Sequence, residues 1–504
     1  MERKTAMCDV LALKLAQSAK DNTLPAISCI VSGLAAYLFV FTNKLLNLDE
    51  IAGLFGKGES ISSGRWALAL TSYIFPDVSL PWFNGILSLL MLTAAVLMML
   101  HVFEIKSTLL RLLIPALIIT FPSQAVTFTY MFTCAPYALA VLLAAGSVYL
   151  TLGRSDKLGF AAGCALLTLS LGIYQAYLSI AASLYVVYLI KRTIEGKWQL
   201  KRIIRCGFTA LAAMAAALVL YYIINKLVML ATGTEYNSYA DASFQTDIKS
   251  VLFGVRVAFT AFLGYFYKGY YHLVATDMSK YMHYVLLIVL GIELAACFFK
   301  QKEKGRRSLL AALIILFPLS VNCLYIISAQ RHTLMLYSFA SLYILAAVTA
   351  ESLMKDRHIP WRRCLCAALA VIAVCNIFYA NRLYLKMKLE YENAYSFYTG
   401  VITRIKETPG YDENTMVLIT GEAHELLHES TEIDTSDLVG VMEGLINIYS
   451  RDDFFTYYAG FSPPTFDWAQ WDASGASEEL ESMPIYPNVG SVRKIGDFIV
   501  VKLG

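Results

Sequence analysis

The sequence predicts an α-helical polytopic membrane protein of about 11 transmembrane helices with a small C-terminal α/β domain. Three observations predict it. Of the 504 residues, 58% are hydrophobic and only 16% are charged, with a mean hydropathy of +0.56; soluble domains are roughly a quarter charged. Apolar runs of spanning length recur up to about residue 380, and a crossing helix needs about 20 such residues. Beyond residue 381 the composition turns charged and polar. Together these exclude a soluble globular enzyme, a disordered chain and a collagen-like chain. Lys plus Arg (41) barely exceeds Asp plus Glu (38), so the net charge of +3 gives no reason to expect nucleic acid as a partner.

The runs lie near 25–46, 83–103, 111–128, 134–152, 207–231, 282–299, 308–328, 334–352 and 364–380. The first follows a Lys-containing tail with no small-residue cleavage site, and is expected to be an uncleaved span. The positive-inside rule orders the rest. Six segments collect 23 of the 41 basic residues: the tail, 106–111, 154–157, 191–205, 300–307 and 355–363. Segments 154–157 and 191–205 then share a side, so 158–190 crosses twice, turning near Gly172, Ile173, Tyr174 and Gln175. One crossing remains between 207–231 and 300–307, and it goes to 282–299. The segment 251–267, interrupted by Arg256 and rich in Tyr and Phe, is left to the outer interface or to re-entry. The count of eleven places the protein in the cell (inner or plasma) membrane with the N-terminus cytoplasmic. Residues 1–381 are the membrane domain and 382–504 an extracytoplasmic domain. In that domain 382–408 reads as a helix continuing from the last span, Met416–Thr420 as a strand, and Ser491–Leu503 as a hairpin turning at Gly496-Asp497. None of the ten cysteines lies beyond Cys375, so this domain carries no disulfide. The pair Cys364 and Cys366 is too sparse for a metal site.

Parity also sorts the polar residues at membrane depth. Asp49 and Glu50 follow the first span, then Ser62-Ser63-Gly64-Arg65-Trp66. Tyr174 and Gln175 sit at the second bend, Tyr267, Lys268 and Tyr271 after the aromatic segment, and Arg331 and His332 between two late spans. Carboxylates, cations and aromatic side chains are expected to face one compartment. Sugar transfer needs a carboxylate to take the acceptor hydroxyl proton. A phosphate leaving group needs fixed cations, and Arg binds it bidentately. Taken singly, each group also suits a solvated helix end, an interfacial anchor or a snorkelling cation.

The acidic pair followed by Ser62-Ser63-Gly64-Arg65-Trp66 resembles the glucosyl transferase II family, the Gtr-type, serotype-converting glucosyltransferases of O-antigen and related surface glycans. Gly172-Ile173-Tyr174-Gln175-Ala176-Tyr177 is similar to a second family segment. So is the exit helix with Asn381-Arg382-Leu383-Tyr384, continuing through Arg404-Ile405 to Pro409-Gly410-Tyr411. The resemblance covers about 20–504. It implies a GT-C-type architecture and an extracytoplasmic site. It implies a polyprenyl-phosphate-linked glucose donor, a surface-glycan acceptor, and a separate flippase and donor synthase. Asp49 becomes the candidate base, with Glu50 as helper or alternative, since the pair is Asp-Glu rather than two aspartates. Arg65, Arg331 and Lys268 are candidates for the donor phosphate. Trp66, Tyr174, Gln175, Tyr267 and His332 are candidates for sugar or acceptor. No cofactor is expected, and a divalent-metal requirement is not legible.

Two other classes have sequence support. His424-Glu425-Leu426-Leu427-His428 matches a zinc-protease pattern, with Glu432 or Glu443 as further ligand, but it follows a strand and runs into polar turn residues. A transporter or flippase of lipid-linked sugars would be marked by polar groups within spans, such as Asn225, Lys226, Glu104 and Glu293; no inverted repeat accompanies them. The gathering of polar groups at one face favours the transferase.

Overall fold

The computed structural model describes residues 2–55, 60–75, 78–153, 156–237, 247–268, 277–326, 328, 332–353, 361–422, 446, 449–475 and 477–504; for 2–20, 267, 268 and 361 it describes the backbone alone. Among the described residues ten helices are long and apolar enough to cross a membrane. A shorter apolar helix, Lys157–Ile173, and the helix Lys304–Val321 add to them. The chain divides into two compact units: Met1–Asn43 with Lys57–Asn381, and Lys44–Gly56 with Arg382–Gly504.

The first unit is all helical. Segment 157–195 forms two helices, Lys157–Ile173 and Leu178–Glu195, joined by a 3-10 turn at Gln175–Tyr177. Asp156 starts the first of them by accepting from the Gly159 amide at 2.8 Å, a standard N-cap. The segment left to the outer interface or to re-entry forms the helix Ile248–Leu263, which runs into a π turn, Gly264–Lys268. Its stretch Ile248–Phe266 has the length and hydropathy of a span. Packing fixes this helix among its neighbours. Asn322 Nδ2 donates to the Ala258 carbonyl at 2.9 Å, and Phe262 and Phe266 enter an aromatic core with Phe317 and Phe339. Arg256 is exposed on the opposite face.

Hydrogen bonds gather the basic segments at one end of this unit. Glu104 pairs with Lys191 and Arg192, both at 3.0 Å. Glu351 accepts from the Lys106 and Ser107 amides at 2.6 Å. Arg362 donates to Ser107 Oγ at 3.0 Å, and Arg306 to the Trp198 carbonyl.

The second unit is α/β. The helix Trp361–Glu407 supplies its residues from Arg382 onward. β1 (Met416–Thr420), β2 (Val492–Ile495) and β3 (Phe498–Lys502) form one sheet in the order β1-β3-β2. β1 pairs with β3 in parallel, Met416 opposite Phe498, and β2 pairs with β3 antiparallel, Ile495 opposite Phe498. The central strand Phe498-Ile499-Val500-Val501 is buried on both faces. One face packs on Tyr398, Val401, Ile405, Phe454 and Phe455, the other on Trp471 and Met483. Leu46 and Ile51 belong to the first of these cores, so the loop carrying the acidic pair is part of this unit.

Candidate functional site

In the first unit the site is built on the turn Ser60–Arg65. The Gly64 amide donates to the Ile61 carbonyl at 2.9 Å and the Arg65 amide to that of Ser60 at 2.8 Å. Gly64 closes the turn at φ +74°, a left-handed value that favours glycine. A Cβ there would stand 2.9 Å from Tyr221 Oη and 3.0 Å from Gln175 Nε2. Those two side chains hold the turn. Gln175 Nε2 donates to the Ser63 carbonyl at 3.1 Å and to Tyr221 Oη at 2.9 Å, and Tyr221 Oη donates to the Gly64 carbonyl at 2.9 Å. The Asn237 amide donates to the Ser62 carbonyl at 3.1 Å. Three elements distant in sequence are thus pinned to one turn.

The turn presents Arg65 to a cluster of tyrosines. Arg65 Nη1 donates to Tyr137 Oη at 3.1 Å, and the guanidinium carbon lies 5.2 Å from the Tyr174 ring centroid. Tyr137 and Tyr174 stack at 4.7 Å and 14°, and Tyr177 stands edge-on to both. The platform orients the cation by hydrogen bonding and cation–π attraction. His332 lies close enough to feel it: burial and then the Arg65 charge hold its imidazole below the usual value. A cation held among buried rings, where the effective dielectric is low, binds an anion more strongly than one in water.

Trp66 opens the helix Trp66–Thr71 and is buried. A Cβ on Gly172 would meet its ring at 2.6 Å, so the indole packs against the helix Lys157–Ile173 rather than standing open. Tyr174 is likewise buried, its faces occupied by Arg65 and Tyr137. Gln175 acts on the turn itself. Tyr267 and Lys268 belong to the π turn, of which only the backbone is described there. Arg331 lies outside the described residues, as do Tyr270, Tyr271 and the motif His424, Glu425 and His428 with Glu432 and Glu443.

Asp49 and Glu50 lie in the second unit. Asn47 Oδ1 accepts from the Glu50 amide at 2.7 Å and caps the short helix Leu48–Ala52. Glu50 is fully buried and ion-pairs with Lys44. Asp49 is partly exposed. Tyr458 is near Glu50: burial and then the Glu50 charge push its phenol above the usual value. The structure therefore brings Arg65, Trp66, Tyr174, Gln175 and His332 together in one unit, and sets the two carboxylates in the other.

Sequence reasoning missed Tyr137, Tyr221 and Tyr236 and gave Tyr177 no role, and it noted Asn225 only as a polar group within a span. Asn225 is buried in the helix Leu200–Thr232 and donates to Tyr236 Oη at 2.7 Å. The signal was there: Tyr221-Tyr222 and Asn225-Lys226 mark the polar end of an otherwise apolar helix. Tyr137 carries no such sign, because a tyrosine in an apolar run reads as core.

The sequence model of the family described as glucosyl transferase GtrII matches residues 38–350. A search of curated proteins gives no match. Among solved structures, the crystal structure of ArnT from Cupriavidus metallidurans bound to undecaprenyl phosphate is similar at 12% identity, with a TM-score of 0.34, over 87% of this chain and 88% of that one.

Proposed function

This chain belongs to the glucosyl transferase GtrII family and is a membrane glycosyltransferase; from that premise we propose that it moves a hexose, glucose by family, from a polyprenyl-phosphate donor to a surface glycan on the extracytoplasmic face. The observation that carries the reading is Arg65, a cation fixed on the Tyr137–Tyr174 platform by a turn whose left-handed Gly64 favours glycine. In this proposal Arg65 holds the donor phosphate, with Lys268 and Arg331 as further cations. Asp49 is the base. Glu50 is the weaker candidate, because its carboxylate is buried and committed to Lys44. Asp49 accepts the proton of the acceptor hydroxyl, and the hydroxyl oxygen attacks the anomeric carbon. The bond from that carbon to the phosphate oxygen breaks with its electron pair, and the lipid phosphate leaves with its charge on Arg65. A single displacement inverts the anomeric centre. A charge that grows on the leaving oxygen is what a preorganised cation stabilises most.

The test is a transfer assay. Membranes containing the chain receive radiolabelled polyprenyl-phosphate-glucose and host surface glycan, beside Asp49→Asn, Glu50→Gln and Arg65→Gln. Label in polymer with the parent chain and none with Asp49→Asn supports the reading. Full activity in both carboxylate variants refutes the base assignment. No transfer from any hexose donor overturns the donor class.

A further inference from the structure

The end of the first unit opposite Arg65 holds a large cavity that glycosyl transfer leaves unused. Its volume is about 1280 Å³, and Glu104, Arg192, Trp198, Lys201, Arg202 and Arg205 are among its lining residues. The helix Leu178–Glu195 separates it from the tyrosine platform: the Tyr174–Tyr177 turn stands at the start of that helix, and Arg192 is in its last turn. At 1.5 Å per residue this is about 25 Å, most of a bilayer's apolar thickness.

The charge there is asymmetric. Glu104 is bound to Lys191 and Arg192, which hold its carboxyl below the usual range although partial burial opposes them. Asp156 is engaged as a helix cap. Lys201, Arg202 and Arg205 have no carboxylate partner among the described residues and are exposed. Trp198 is a platform between two guanidinium groups, Arg202 at 4.0 Å and Arg192 at 5.0 Å from the ring. The helix Leu200–Thr232 starts at the cavity with no side-chain cap, so its first amides and dipole add to the attraction for an anion. Just beyond Arg205, the same helix exposes Phe208 and Leu211, apolar groups suited to acyl chains. Cations, uncapped amides and an apolar flank at the membrane boundary match a phosphate carried on a lipid.

We propose that this cavity binds the phosphodiester headgroup of an anionic phospholipid from the leaflet at the basic end of the protein, a site separate from that of the sugar donor. Lys201, Arg202 and Arg205 hold the phosphate, and Trp198 keeps Arg202 in place.

The experiment uses the full chain in phosphatidylcholine nanodiscs containing a tenth phosphatidylglycerol, with retained lipid counted by native mass spectrometry. The parent chain is expected to retain phosphatidylglycerol at least fivefold above its share of the bilayer. Lys201→Gln/Arg202→Gln/Arg205→Gln should bring it down to that share, and Trp198→Leu should lower it by severalfold. Inorganic phosphate at 10 mM should leave the lipid in place; displacement would assign the site to a soluble anion and overturn the proposal. So would a triple variant that retains as much phosphatidylglycerol as the parent. Should the triple variant not fold, the parent chain decides: its enrichment must fall when NaCl rises from 0.05 to 0.5 M, because screening weakens exposed cations. Enrichment that ignores salt, or is absent, overturns the proposal.

Discussion

Gly64→Ala tests whether the turn before Arg65 is what makes the cation useful. At φ +74° the backbone is left-handed, which costs about 1–2 kcal/mol for a residue with a Cβ. That Cβ would sit 2.9 Å from Tyr221 Oη and 3.0 Å from Gln175 Nε2. Relief requires those side chains to withdraw, with loss of the bonds to the Ser63 and Gly64 carbonyls, at about 0.5–1.5 kcal/mol each. The total is about 2–5 kcal/mol, relieved most cheaply by moving the turn and Arg65 with it. At about 1.4 kcal/mol per tenfold in rate, kcat/KM for the lipid-linked donor should fall tenfold or more. Expression should be retained and the purified chain should still unfold cooperatively, at a somewhat lower temperature, because the turn carries no apolar core side chain. Transfer is measured in membranes at fixed acceptor and varied donor. A Gly64→Ala chain within twofold of the parent, under conditions where Arg65→Gln is impaired, would falsify the claim that this lock positions the cation.

Arg65→Gln should lower transfer by about a hundredfold or more, the usual cost of removing one preorganised charge-stabilising donor. Arg65→Lys should recover little, because a single ammonium lacks the fork that meets Tyr137 and a phosphate together; equal rates in both variants would show that charge alone matters. Lys44→Met should destabilise the second unit by about 3 kcal/mol, since it removes the ammonium that balances the buried Glu50 carboxylate, and the double change Lys44→Met/Glu50→Leu should restore most of that; limited proteolysis of the C-terminal unit reads both. His332, held below its usual value, favours the neutral form on folding. Its contribution to stability is therefore complete above the unfolded value of about 6.5 and is lost as pH falls below it. Thermal unfolding of the parent chain between pH 5 and 7.5 should weaken on the acid side, and His332→Gln should flatten that slope.

Much of the architecture was legible because membranes leave few options. Apolar length and basic loops located the helices, and parity alone required the bend at Gly172–Gln175, where the structure has its 3-10 turn. In the C-terminal unit, the short apolar run Met416–Thr420 and the Gly496-Asp497 turn gave β1 and the hairpin at their observed places. Segment 251–267 was left to the interface or to re-entry because Arg256 and a run of aromatics look interfacial in one dimension, and the structure has a helix of spanning length and hydropathy there. Its packing surface, Ala258 and Phe262 against Asn322 and Phe317, exists only once the bundle is assembled.

The site divides along the same line. Arg65 and Gln175 stood out because charged or amide side chains at membrane depth are costly and therefore informative. The partners Tyr137 and Tyr177 did not, since they are indistinguishable from core tyrosines until stacked. The roles also moved. Trp66 and Tyr174 drew notice as open sugar platforms, yet both are buried, and what they do is rigid: one packs the turn's following helix onto Gly172, the other supports a guanidinium. A cation that must meet a leaving phosphate gains from such support, because its orientation is settled before the charge develops. Glycine at 64 and glycine at 172 are then part of the same device, each admitting a side chain that fixes Arg65 from a different direction. Enlarging either glycine should therefore lower transfer in the way that Arg65→Gln does, by weakening transition-state contact rather than by unfolding the bundle.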